Sequence, residues 1–289
     1  KHPPATRAGD INNDNLTSIG VFASLTHGNF DATVSTPNFM YNQLVEKKNG
    51  TWQYTPLKYW PNNDSDKISF FAYAPHNATG VTPSNAIQKG YPSFTYTTPT
   101  AEADQVDLLA ATPIINQNGG SVDFKMQHAL TKVVFNVKSN DDITGKVITA
   151  FSITGAKSGT LAFHVPANDD DKGFGWTYPS TVTAETFTAT TKSLSVPDKS
   201  TPEEAILCTY FLLPTNIGNT FNITYIYIGI KGTQTVTLTN QPLPSLDKWL
   251  SGAFVSYTIG IDKKVVTATT ESHPTWGNGS QGSVDGTIN

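Results

Sequence analysis

Between Ser121 and Ser139 the chain reads SVDFKMQHALTKVVFNVKS, and the parity of its apolar positions changes half-way. Val122, Phe124 and Met126 fall on even positions, whereas Val133, Phe135 and Val137 fall on odd ones. Each half has the period of a strand with one buried face. Side chains on a strand alternate between faces, so no single flat strand can bury first its even residues and then its odd ones. The chain must turn at Gln127-His128-Ala129-Leu130. This predicts a crossover between two β domains, residues 1–127 and 128–289, each with its own core.

The rest of the sequence has the same texture. Before the turn there are about seven short strand-like segments separated by Gly, Pro, Asn and Ser. Among them are Ile19–Leu25, Phe39–Val45, Trp52–Tyr54, Ile68–Pro75, Ser93–Tyr96 and Asp104–Ala111, and Asn49-Gly50 marks a tight hairpin. After it come Lys132–Lys138, Val147–Gly155, Gly159–Val165, Phe187–Val196, Ala205–Leu213, Phe221–Ile230, Thr233–Leu238 and Gly252–Ile261. Helix is expected only as short pieces at Pro83–Gln88 and at Pro244–Leu250, the latter with Ser245 as N-cap. Residues 1–17 are polar and are expected to form a mobile arm. The whole predicts an all-β protein built of sandwiches.

Composition narrows the function. Charged residues make up 15% of the chain and the formal net charge is -4, with no basic cluster, so nucleic acid and anionic membrane surfaces are excluded as primary partners. No apolar run approaches the length of a membrane helix. The single cysteine, Cys208, lies in an apolar run and reads as a small buried hydrophobe. The six histidines never fall at metal-ligand spacing, and no nucleophile elbow, phosphate loop or dinucleotide fingerprint occurs. The expectation is a protein that is not an enzyme and uses neither cofactor nor metal. Asn62-x-Asp64-x-Asp66 opens like a calcium loop, but Lys67 stands where glycine is required and Tyr73 at the closing acidic position, so it reads as a polar turn. Asp169-Asp170-Asp171 reads as a solvated loop, and His128 as a packed or hydrogen-bonded residue at the joint.

Three stretches, LKYWPNNDSDKISFFAYAP (57–75), DQVDLLAATP (104–113) and VDFKMQHALTKVVFNV (122–137), with the opening ATRAGDINNDNLTSIGVFA (5–23), resemble the fimbrillin-like family of Bacteroidales surface proteins, which build or decorate type V pili. The resemblance spans roughly the first half of the chain. It implies two tandem transthyretin-like, Greek-key β-sandwich domains and a shaft, anchor or tip subunit of a fimbria in the outer membrane. It also implies export as a lipoprotein, from a precursor whose lipidated cysteine lies outside this chain. An arginine-directed protease would cut between Arg7 and Ala8 and remove a first strand. The groove left behind would receive the C-terminal strand of the next subunit, for which Val284, Gly286 and Ile288 are the donor candidates, and the partners would be other pilus subunits.

The physics of such an exchange stands apart from the resemblance. A sandwich lacking a strand exposes unpaired N–H and C=O groups beside an apolar slot, which is a template for an added strand. A second reading is a monomeric surface adhesin that stacks a host glycan, or docks a host protein, on Trp52, Tyr54, Tyr59 and Trp60, since flat rings suit the apolar faces of sugars.

Overall fold

The computed structural model describes residues 10–191, 193–262, 266–273 and 281–284. Within them the chain is all-β. In the first part of the chain the strands are β1 (Ser18–His27), β2 (Met40–Lys48), β3 (Thr51–Gln53), β4 (Asp66–Ala74), β5 (Val81–Pro83), β6 (Ser93–Thr97), β7 (Leu109–Ala111), β8 (Ile114–Gln117) and β9 (Val122–His128). Then follow β10 (Thr131–Ser139), β11 (Val147–Ala156), β12 (Ser158–Phe163), β13 (Phe174–Thr177), β14 (Ala184–Thr188), β15 (Leu194–Ser195) and β16 (Ala205–Leu212). The last are β17 (Thr220–Gly229), β18 (Gly232–Pro242), β19 (Phe254–Ile261), β20 (Val266–His273) and β21 (Gln281–Val284).

The parity change is a corner between β9 and β10. Val122, Phe124 and Met126 of β9 are buried in one apolar cluster, and Val133, Phe135 and Val137 of β10 in another. Ala129 and Leu130, at the corner itself, are fully buried in a third.

Four sheets carry these clusters. The first runs β21-β9-β7-β4-β1-β2-β3, with β8 also paired to β4. Its central strands are buried on both faces. Ile19, Val21, Ile68, Phe70 and Ala72 face the first cluster, while Phe22, Phe71 and Tyr73 face the third. Burial on both faces explains why IGVFASL and ISFFAYA read as unbroken apolar runs instead of alternating. The third cluster is closed from the other side by the sheet β13-β12-β6-β5, which takes β5 and β6 from before the corner and β12 and β13 from after it. The remaining two sheets, β16-β10-β19-β20 and β14-β11-β17-β18 with β15 on β11, face one another as a sandwich around the cluster of Phe135, Phe151, Ile153, Tyr210, Phe221, Tyr257 and Ile259. Cys208 is fully buried there. Within this sandwich β10 and β19 run parallel.

Asn49-Gly50 forms the tight β2–β3 hairpin, with φ of 52° and 80° at its two central residues, the left-handed values such a turn requires. Elsewhere local expectations give way to tertiary demands. Residues 83–88 leave β5 as a turn in which Gln88 N–H donates to Asn85 O at 3.0 Å. Near Pro244 only Leu246–Lys248 forms a single 3-10 turn; Ser245 has φ of 54° and makes no capping bond. The reason lies in Trp249, which is drawn into the core with its Nε1–H donating to Tyr257 Oη at 2.8 Å. The expected strand 187–196 is interrupted, with β14 and β15 pairing at different points along β11.

One segment from before the corner stitches the two sheets of the sandwich on one side. Thr188 N–H donates to Thr100 O at 2.8 Å. The buried carboxylate of Glu102 accepts from Thr190 N–H through Oε2 and from Thr209 N–H through Oε1, both at 2.8 Å. The fully buried Gln105 accepts from Phe211 N–H at 2.9 Å and donates to Pro99 O at 3.0 Å. Side-chain oxygens here take the place of a neighbouring strand along β16, and they satisfy N–H groups that burial would otherwise leave costly. Glu102→Ala should lower unfolding free energy in urea by about 2 to 4 kcal/mol, and Glu102→Gln, which keeps one acceptor oxygen, by about half as much. Hydrogen exchange at Thr190 and Thr209 should accelerate in both.

Candidate strand-exchange site

The corner is held by polar groups as well as by packing. Asp107, just before β7, is buried, and its two carboxylate oxygens serve two segments. His128 Nδ1 lies 3.0 Å from Oδ1, and Ile11 N–H donates to Oδ2 at 2.8 Å. Burial raises the pKa of Asp107, and the bond from His128 opposes that rise. Asp10 Oδ2 accepts from Lys132 Nζ at 2.6 Å, and the same ammonium lies 5.7 Å from the centroid of the Phe254 ring. Carbonyls of the corner are taken up by the second half of the chain. Trp176 Nε1–H donates to Ala129 O at 2.7 Å, Ser251 Oγ to the same oxygen at 3.0 Å, and Gly252 N–H to Leu130 O at 2.9 Å. Gly252 has φ of 74°, and a Cβ there would sit 3.1 Å from His128 O. Lys172 Nζ donates to Ser251 O at 2.6 Å, and burial lowers its pKa.

These contacts correct one expectation. From Asp10 onward the leading arm is docked. Ile11 packs against the first cluster, Leu16 is buried within it, and a turn closes with Leu16 N–H donating to Asn12 O at 2.9 Å. Polarity suggested mobility, but Asp10 and Ile11 find partners far along the chain. Arg7 and Ala8 lie outside the described residues.

The other end of the chain returns to the same sheet. β21 pairs antiparallel with β9, placing Gln281 opposite Lys125, Gly282 opposite Phe124, Ser283 opposite Asp123 and Val284 opposite Val122. It occupies the terminal position of the first sheet, beside the strand whose Val122, Phe124 and Met126 line the first cluster. Gly286 and Ile288 lie outside the described residues.

The aromatic segment is divided. Trp52, Tyr54 and Trp60 pack against the first cluster, Trp60 edge-on to Phe70 at 5.8 Å between ring centroids. Tyr59 stands apart, 62% exposed, beside exposed Leu57. A cleft of about 250 Å³ beside Tyr54 is lined by Gln43, Leu44, Glu46, Lys48, Gln53 and Thr55. Trp52, Tyr54 and Trp60 are thus half-buried while Tyr59 is exposed. Asp66 pairs with His27 at 2.9 Å. Asp171 accepts from Ala167 N–H and Gly173 N–H, both at 2.9 Å, and lies 2.8 Å from His164 Nε2, contacts that lower its pKa to about 2. No cluster of three or more metal-ligating side chains occurs among the described residues, and no helix there is long and apolar enough to cross a membrane.

A family model described as fimbrillin-like matches residues 6–275. The chain belongs to the fimbrillin-like family. A relative, fimbrium subunit Fim1C of Phocaeicola vulgatus, is 35% identical over 157 residues, a stretch covering 48% of this chain and 41% of that protein. The fold is similar to the crystal structure of a fimbrial protein from Bacteroides vulgatus, with a TM-score of 0.69, 24% identity and coverage of 88% of this chain and 91% of that one. A cell adhesion protein structure from Bacteroides uniformis has a TM-score of 0.51 at 17% identity, covering 93% of each chain. The buried Asp107 is a polar residue among apolar neighbours that motif reading passed over. Glu102, Gln105 and Lys132 carry no such signal, because their partners lie far away in sequence.

Asp107→Ala should leave the corner folded but speed thermolysin cleavage within residues 10–17 by about tenfold, since the Ile11 anchor is lost. For Asp171 the folded pKa of about 2 lies below the ordinary 3.8, so its contribution is complete above pH 3.8 and disappears as pH falls through 2. The Gly173 amide resonance should titrate with that low midpoint, and the titration should vanish in Asp171→Asn.

Proposed function

We propose that this fimbrillin-like chain is a structural subunit of a bacterial cell-surface fimbria, exported and displayed at the outer membrane, that joins its neighbours by exchange of its C-terminal strand. The observation that carries the proposal is the pairing of 281–284 with β9, because it places a terminal segment on an edge of the first sheet that accepts a strand. A four-residue pairing is held by a few backbone bonds, each contributing about 1 kcal/mol net. It is weak enough to open and be replaced. A neighbour's longer terminal segment, carrying Val284, Gly286 and Ile288, would add side-chain burial of about 1.5 to 3 kcal/mol for each large aliphatic residue.

In this reading residues 1–127 form the accepting sandwich and residues 128–289 the donating one, with β12 and β13 lent across to the shared sheet. The contact is heterologous and therefore propagates as a filament. Maturation is by an arginine-directed protease at Arg7-Ala8, three residues ahead of the Asp10 anchor. The anchors at Asp10 and Ile11 support this, because they would keep the new end of the chain fixed at the corner after the cut. The precursor is a lipoprotein, and the other partners are fimbrial subunits of the same or related sequence. The names of the Phocaeicola vulgatus relative and of the similar structures support the fimbrial assignment.

Arg7 is the sole arginine, so an arginine-specific protease can cut nowhere else. After such cleavage, size-exclusion chromatography with light scattering should detect head-to-tail oligomers, and deletion of residues 283–289 should abolish them. Complete cleavage that leaves only monomer would count against strand exchange.

A further inference from the structure

The sandwich formed after the corner treats its two sides differently. On one side Thr100, Glu102 and Gln105 occupy backbone groups of β16 and of the stretch from Thr188 to Thr190, so no further strand can add there. On the other side the sheet β14-β11-β17-β18 ends at β18, which among the described residues pairs with β17 alone. From this contrast we infer that β18 is a second association edge, pairing antiparallel with β18 of a second copy of the chain. This goes beyond the terminal-strand exchange proposed above and uses none of its residues.

Three features of β18 fit a second copy. First, it is long, Gly232–Pro242, and there is no charged side chain between Lys231 and Asp247. Edge strands that resist pairing carry lysine, inward-pointing charge, proline or a bulge; β18 carries no charge, and its proline, Pro242, and its bulge beside Asn240 lie at its far end, outside the stretch centred on Val236. An uncharged edge meets no like-charge repulsion from itself, whereas a charged partner strand would gain nothing from it. Second, its sequence is self-complementary. An antiparallel pair centred on Val236 sets Thr235 opposite Thr237 and Thr233 opposite Thr239, all four exposed on the outer face, and Val236 opposite Val236 on the inner face. Opposed threonines and opposed β-branched residues are favourable cross-strand pairs. Third, the side-chain amides that bond carbonyls of the strand do so at Gly232, Thr233 and Thr239, the outer limits of that register, so the pairing rests on the central Thr235 to Thr237 and the outermost threonine pairs form only as these amides let go. Gln234 Nε2 donates to Thr233 O at 3.3 Å and Gln241 Nε2 to Thr239 O at 2.8 Å. Such a contact is isologous and closes as a dimer. In a filament it would join subunits side by side.

The register makes the test specific. Thr235 and Thr237 are exposed, so lysine or glutamate at either is compatible with folding, which circular dichroism would check. The intact chain should show a concentration-dependent monomer–dimer equilibrium in sedimentation velocity up to several hundred micromolar. The double variant Thr235→Lys with Thr237→Lys opposes like charges twice across the two-fold axis and should weaken the dimer by about tenfold or more. Thr235→Lys with Thr237→Glu opposes unlike charges twice and should keep or tighten it. A chain that stays monomeric throughout, a dimer indifferent to the double lysine variant, or one lost equally with the lysine–glutamate pair overturns the inference. A dimer that disappears on deleting residues 281–289 also overturns it, because that association belongs to terminal-strand exchange. Conversely, a dimer that survives the deletion stands even if cleavage at Arg7 yields no filament.

Discussion

The structure depends on one buried corner, at Ala129-Leu130. A strand that reverses the parity of its buried face must bend, and bending exposes backbone groups that have lost their ladder partners. Here those groups are recovered by residues distant in sequence: Trp176 and Ser251 on Ala129 O, Gly252 on Leu130 O, and Leu108 O accepting from Ala129 N–H. His128 is fixed by Asp107, whose second oxygen holds Ile11. The same few residues therefore fix the angle between the two halves and the position of the leading segment. The burial that makes Asp107 hard to ionise is also what makes its two bonds costly to lose.

Edges are the second theme. An all-β chain must do something with every unpaired strand edge, because each is a template for addition. This chain closes β16 with side chains instead of a strand, setting Glu102 and Gln105 against Thr209 and Phe211. It covers the β9 end of the first sheet with a four-residue segment from its own far end. Along β18 the described residues provide no cover. The three edges thus differ in how they are covered. Buried carboxylate–amide bonds close the first, a four-residue pairing covers the second, and among the described residues no strand pairs with the outer side of the third.

The aromatic segment shows how the same residue types serve different ends. Trp52, Tyr54 and Trp60 suit a ligand platform by their flat rings, but residues of this type more often serve as core. The buried residues of the first cluster come, apart from Leu16, from the first sheet itself, and these rings pack against them. Tyr59, one position from Trp60, points outward.

What the sequence determined by itself was local and periodic. The alternation along 122–126 and 133–137 follows from side chains alternating faces along the backbone, the Asn49-Gly50 hairpin from turn chemistry, and the apolar surroundings of Cys208 from its neighbours in the chain. Tertiary structure decided whatever depends on partners remote in the chain. Glu102 reaches Thr209, Asp107 joins Ile11 to His128, β12 pairs with β6, Ser245 fails as a cap because Trp249 is pulled inward, and residues 281–284 return to β9. The physical reason is that period and turn chemistry are properties of neighbouring residues, whereas the pairing of buried polar groups and of strand edges is set by which distant segments the packing of the apolar clusters brings within bonding distance.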